Sequence, residues 1–126
     1  MILAAFDRDD VSHEPARALL GDSAVSLATL DLARYEVVNV AVRAWQAPQL
    51  TTPLLEAVER IANDGGVLLS TTTLLTRAAE LAHENGISVY DAAYVAAALQ
   101  AGATLVSCDV RDLVGKGLAS APGNQR

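Results

Sequence analysis

Four carboxylates, Glu36, Asp91, Asp109 and Asp112, are singled out by their surroundings. Asp109 directly follows the apolar, β-type run Thr104-Leu-Val-Ser-Cys108, so its side chain is expected at the carboxyl edge of a strand. Asp91 lies in the first turn of an otherwise apolar helical stretch, Tyr90-Asp-Ala-Ala-Tyr-Val-Ala-Ala-Ala-Leu99, and is the only acid in it. Glu36 interrupts an apolar helix beside Tyr35 and Val37, and Asp112 follows Asp109 by three residues. Carboxylates that converge repel one another and cost stability unless a cation neutralises them. Hard divalent ions such as Mg²⁺ or Mn²⁺ favour this all-oxygen ligation. An ion held in that way can activate water, orient a phosphodiester and stabilise its developing charge.

Taken singly, each acid also has an ordinary reading. An acid at a helix start caps or meets the helix dipole, which covers Asp91. An acid after a strand forms a turn, which covers Asp109. A glutamate such as Glu36 most often faces solvent. On residue chemistry alone both readings stand. The other reactive side chains carry less. Cys108 reads as a small buried hydrophobe at the end of its strand. His13 and His83 lie far apart, and no zinc-ligand spacing exists. Arg34, Arg43, Arg77, Arg111 and Lys116 are candidate phosphate contacts, but no basic run or aromatic interleaving singles one out. Gly65-Gly66 lacks the lysine of a phosphate-binding loop and reads as a turn.

The elements that must position these acids alternate between short apolar runs and longer helical ones. Met1–Phe6 is a short apolar opening, and Asp7-Arg-Asp-Asp10 a solvated loop. Ser12 is placed to cap a helix through Leu20 that stops at Gly21. Ala24–Ala28 reads as a strand, Thr29–Trp45 as one long helix, and Thr52-Pro53 as the start of a helix ending at Asn63-Asp-Gly-Gly66. Val67–Ser70 reads as a strand, Leu74–Glu84 and Val89–Ala101 as helices closed by Gly86 and Gly102, and Thr104–Cys108 as the last strand. Strands separated by helices imply crossovers and a mostly parallel sheet with helices on its faces. Working sites in such sheets lie beyond the carboxyl ends of the strands, where Asp109 stands.

The 126 residues fit one domain, and 52 % apolar content predicts a globular core. A net charge of −6 argues against holding nucleic acid or membrane by bulk positive charge. It leaves room for a nuclease whose bound ions supply that charge locally. One cysteine allows no internal disulfide, no stretch reaches membrane-spanning length, and a reducing cytoplasm is the expected location. The apolar helix Ala92–Ala101 is expected to be buried against the sheet or against a second subunit.

The segment from Ser88 to Asp109 closely resembles the signature of PIN domains, and within them that of the toxin subunits of VapBC toxin–antitoxin pairs. The features shared are a helix opening Tyr-Asp-Ala-Ala, a Gly-Ala turn, and a strand ending in Asp. Leu27-Ala-Thr-Leu-Asp-Leu-Ala-Arg-Tyr-Glu-Val37 resembles the family's second motif. The resemblance implies an α/β domain over residues 1–118, with a mostly parallel central sheet flanked by helices, and a polar tail over 119–126. It implies an endoribonuclease dependent on Mg²⁺ or Mn²⁺, hydrolysing RNA with metal-activated water and restrained by a cognate antitoxin. It assigns metal ligation to Glu36, Asp91 and Asp109, with Asp112 in support, and implies homodimers. One departure stands at the start. The family opens with a strand ending in aspartate, and here Met1–Phe6 matches the helix that follows it. That strand and its aspartate are therefore expected to fall before residue 1, so the chain as given is expected to lack its first strand and to be less stable and less active without it. A catalytically inactive PIN-like module binding an antitoxin or RNA is the alternative. A purely structural or phosphoacceptor α/β domain fits the architecture but leaves the grouped acids unexplained.

Overall fold

Pairing and packing arrange the chain into two compact units, one formed by Ile2–Leu69 and one beginning at Ser70. The computed structural model describes residues 1–124. The last two residues of the expected tail, 125 and 126, lie outside the described residues.

The first unit opens with α1 (Ile2–Phe6), which buries Ile2 and Ala4. The helix expected next is present as α2 (His13–Leu20), which buries Ala16 and Leu19 and ends at Gly21. Ser12 makes no side-chain cap; instead its own N–H is taken by Asp10 Oδ1 at 2.8 Å. A single parallel pair follows, β1 (Thr29–Leu30) with β2 (Val67–Leu68), in register Thr29 to Val67 and Leu30 to Leu68.

The strand expected over Ala24–Ala28 is displaced to β1, and the reason lies in the backbone. Asp22 Oδ1 accepts the Ala24 N–H at 2.9 Å, which commits that stretch to a turn. Leu27 gives its N–H to Asp64 Oδ2 at 2.7 Å and its carbonyl to the Gly65 N–H at 2.6 Å. The ladder starts only beyond it, where Thr29 donates to Gly66 and Asp31 to Leu68.

The long helix expected over Thr29–Trp45 therefore begins late, as α3 (Ala33–Asn39). It continues as a wider π turn over Val40–Ala44, closed by a bond from the Trp45 N–H to the Val40 carbonyl at 2.9 Å. A short 3₁₀ turn, Pro48–Leu50, then leads into α4 (Thr51–Asp64). Leu54, Ala57, Val58 and Ile61 recur at helical spacing on the buried face of α4. They close on Ile2, Val37 and Ala41 to form the core of this unit.

The second unit is built on two helices. Thr71 caps α5 (Thr72–Asn85) by accepting the Leu74 N–H, and the helix closes on Gly86 in the left-handed region. Ser88 caps α6 (Val89–Ala101), which closes on a left-handed Gly102. Ala92, Ala93, Ala96 and Ala97 are buried on α6, and α5 is the neighbour it packs against within the unit. Small side chains permit that close approach. Val89, Tyr90 and Leu99 remain exposed, so α6 is not covered all round within this chain.

The strand expected over Thr104–Cys108 is reduced to one parallel bridge, Val106 with Ser120. Ser120 donates to Leu105 at 2.8 Å and accepts from Ser107 at 2.9 Å. Alternation of apolar residues makes a run competent to pair, but only the length of its partner decides how much ladder forms. Here one residue of the expected tail supplies the partner. The chain is thus mixed α/β, with a short parallel sheet and helices around it.

Candidate metal centre

The acidic cluster is assembled by two local devices in the second unit. The first is the start of α6. Ser88 Oγ accepts the N–H of Asp91 at 3.0 Å, fixing the first turn in which Asp91 sits. The second is the turn after the Val106 bridge. Ser107 Oγ accepts the Asp109 N–H at 3.0 Å. Asp109 in turn caps a π turn over Val110–Val114, its Oδ1 accepting the Asp112 N–H at 2.9 Å.

Asp91, Asp109 and Asp112 each offer a carboxylate oxygen, and these oxygens lie within 4.8 Å of one another. All three residues are half-buried. Oxygens bound to Mg²⁺ at about 2.1 Å in an octahedron stand roughly 3 Å apart when adjacent and roughly 4 Å when opposite. The spacing is therefore close to that of a shared ion, and the donor set is the hard, anionic oxygen chemistry such an ion selects. The residues fit a divalent cation.

The electrostatics of the trio are uneven. Asp91 is pushed up from the usual carboxylate range, first by burial and then by the charge of Asp109. Its hydrogen bond with Ser88 opposes the rise, and Asp112 adds to it. Asp112 is held below the usual range, chiefly by its hydrogen bond with Arg111. Burial opposes that shift, while the charges of Arg111 and Lys116 support it. Arg111 reaches both oxygens of Asp112, Nε to Oδ1 at 3.3 Å and Nη2 to Oδ2 at 3.2 Å. The Arg111 side chain is 89 % exposed. Asp112 thus has a counter-ion of its own, whereas Asp91 gains a proton more readily because burial, and after it the charge of Asp109, disfavour its ionised form.

Three of the four residues singled out in the sequence are brought together. Glu36 belongs to the other unit, in the first turn of α3. Ser88 was not singled out from the sequence, although a serine three residues before an acid at a helix start is a readable capping pattern. Three of the other candidate cations have separate engagements. Arg34 pairs with Glu59 at 2.8 Å and Arg77 with Glu80 at 2.9 Å. Lys116 reaches backbone carbonyls of Asn85 and Gly86. Cys108 is half-buried at the end of its short run.

The trio is thus assembled from the start of α6 and the turn after the Val106 bridge of a mixed α/β chain. The PIN domain profile matches residues 1–113, and the chain belongs to the PIN-domain family, whose members are generally nucleases and typically use divalent metals. A comparison with curated proteins finds no match. Among the described residues, no helix is long and apolar enough to cross a membrane.

Proposed function

We propose that this protein is an endoribonuclease dependent on Mg²⁺ or Mn²⁺, and that it is the toxin of a toxin–antitoxin pair. The single observation that carries the nuclease reading is the trio of carboxylate oxygens within 4.8 Å, in a family of nucleases. Asp91 and Asp109 would hold the cation, with Asp112 in support from the turn that carries Asp109; Glu36 is proposed as a further ligand on the resemblance of residues 27–37 to the family's second motif. When bound, the ion supplies a Lewis acid for a phosphoryl oxygen and an acidified water.

The rest of the work falls to the chain. Ser88 and Ser107 fix the backbone under Asp91 and Asp109. Arg111 favours the anionic form of Asp112, and its exposed side chain would be available to an RNA phosphate. With a net charge of −6, local cations of this kind are what would admit a polyanion. The toxin role is supported by the resemblance of residues 88–109 to the toxin subunits of VapBC pairs. A homodimer is supported by the exposed apolar residues Val89, Tyr90 and Leu99 on α6.

The test is Mn²⁺-dependent cleavage of single-stranded RNA by the wild-type chain and by Asp91→Asn. Asn keeps the size of the side chain and removes the charge that holds a hard cation. Cleavage should fall at least about a hundredfold while the variant still unfolds cooperatively. Undiminished cleavage by a folded Asp91→Asn preparation would sink the reading.

A further inference from the structure

Lys116 follows directly on the turn that carries Asp109 and Asp112, between two glycines that shape the chain there. A side chain at Gly115 would put its Cβ 2.6 Å from the Val110 carbonyl oxygen, so only glycine lets the turn close so tightly. Gly117 has φ +73, in the left-handed region. From between them Lys116 reaches across 31 positions of sequence and donates from Nζ to the Asn85 carbonyl at 2.6 Å, with the Gly86 carbonyl at 3.5 Å. Those carbonyls close α5, where a cation meets the negative end of a helix. Two residues further on, Ser88 caps α6 and fixes the turn bearing Asp91.

One side chain thus ties the segment that carries Asp109 and Asp112 to the segment that carries Asp91. Without a cation, three carboxylates at this spacing push those segments apart. We infer that Lys116 is a positioning residue for the divalent site: its bond to the end of α5 holds the two acid-bearing segments at ligating distance. The inference rests on the metal-site reading above and adds a residue whose Nζ is engaged with backbone carbonyls rather than with the carboxylates.

A second role is physically possible and has the opposite sign. The charge of Lys116 also acts on Asp112, and a nearby positive charge weakens binding of a cation. Replacing the lysine would tighten Mn²⁺ binding if charge were its whole effect, and would loosen it if the tether dominates. The direction of the change separates the two.

The experiment titrates Mn²⁺ alone, by calorimetry, into the full chain as wild type, Lys116→Met and Lys116→Arg, with thermal unfolding of each. Met keeps the apolar stem and removes the donor, whereas Arg restores charge and donor. Lys116→Met should raise the Mn²⁺ Kd by roughly threefold to tenfold, the range set by losing one charged hydrogen bond at a partly exposed site. Lys116→Arg should recover most of that loss. Equal or tighter Mn²⁺ binding by Lys116→Met overturns the inference and leaves the metal site standing. A wild-type chain that takes up no Mn²⁺ overturns both.

Discussion

Asp109 Oδ1 accepts the backbone N–H of Asp112 at 2.9 Å. One acid of the trio therefore holds the main chain under another, and the two cannot be perturbed independently. A substitution at Asp109 removes a charge and a cap together, whereas Asp91 sits on a separate helix. Asp91 is the cleaner site for testing charge alone.

The first prediction concerns pH, and the two shifted acids have opposite signs. Asp91 is raised in the folded chain, so its contribution to stability is fully present below the unfolded value and is lost as pH rises through the folded one. Asp112 is lowered, so its contribution is present above the unfolded value and is lost as pH falls through the folded one. In chelator, Asp91→Asn should gain in Tm relative to wild type as pH is raised from about 4 to about 7. Added Mn²⁺ should reverse the order near neutrality, because only wild type then recovers the cost of its charge. Thermal unfolding across that range checks both; a difference in Tm that does not change with pH counts against the crowding of Asp91 by its neighbours.

Ser88 is expected to couple helix stability to the metal site. Ser88→Ala removes the cap of α6 and should cost about 1 kcal/mol in urea unfolding. The same change should weaken Mn²⁺ binding, since the turn bearing Asp91 loses its anchor. Ser88→Thr keeps the capping oxygen and should restore both. A loss of stability with unchanged Mn²⁺ affinity would confine Ser88 to the helix.

Gly65 is the position least able to accept a side chain. A Cβ there would lie 2.2 Å from the Leu27 carbonyl oxygen, the atom to which the Gly65 N–H donates. Since both partners are backbone, the overlap is relieved only by moving the crossing that leads into the parallel pair. Gly65→Ala should destabilise by about 3 kcal/mol, the upper end of ordinary overpacking. Gly21→Ala is the control, with its nearest contact at an ordinary 3.4 Å. Chemical denaturation of the two variants should separate them clearly; equal midpoints would contradict the close approach at Gly65.

Glu36, proposed as a ligand on the family resemblance alone, lies in the first unit. Glu36→Gln should weaken Mn²⁺ binding by about tenfold and lower cleavage with it. Retained affinity and cleavage would restrict the cation to the three aspartates and remove Glu36 from the proposed ligands.

Helix ends were readable in the sequence because caps are local chemistry. The stops at Gly86 and Gly102 stand where the structure closes α5 and α6 on left-handed glycines. Asp109 and Asp91 were legible for a similar reason, one after a β-type run and the other alone in an apolar helix. The strands were less legible, since Ala24–Ala28 and Thr104–Cys108 have the right residues but not the pairing. Leu27 gives its polar groups to Asp64 and Gly65, and Val106 meets only Ser120 in register. Those are contacts at long sequence separation, which composition and periodicity do not encode. The pairing of Arg111 with its neighbour Asp112 was also unread, because adjacent charges say nothing of orientation until the backbone turns.

The positions of the three aspartates along the chain bear on how the site comes into being. Asp91 and Asp112 are separated by 21 positions, with Asp109 between them. Closing a loop of that length costs little more chain entropy than closing one half as long, because the cost grows only logarithmically. Contacts of short sequence separation also tend to form early. Two helices and one turn carry all three aspartates, so these carboxylates are expected to meet while other elements are still unpaired. Mn²⁺ present during refolding should then speed the folding step itself, rather than only retard unfolding, because three of its proposed ligands come from this one stretch of chain.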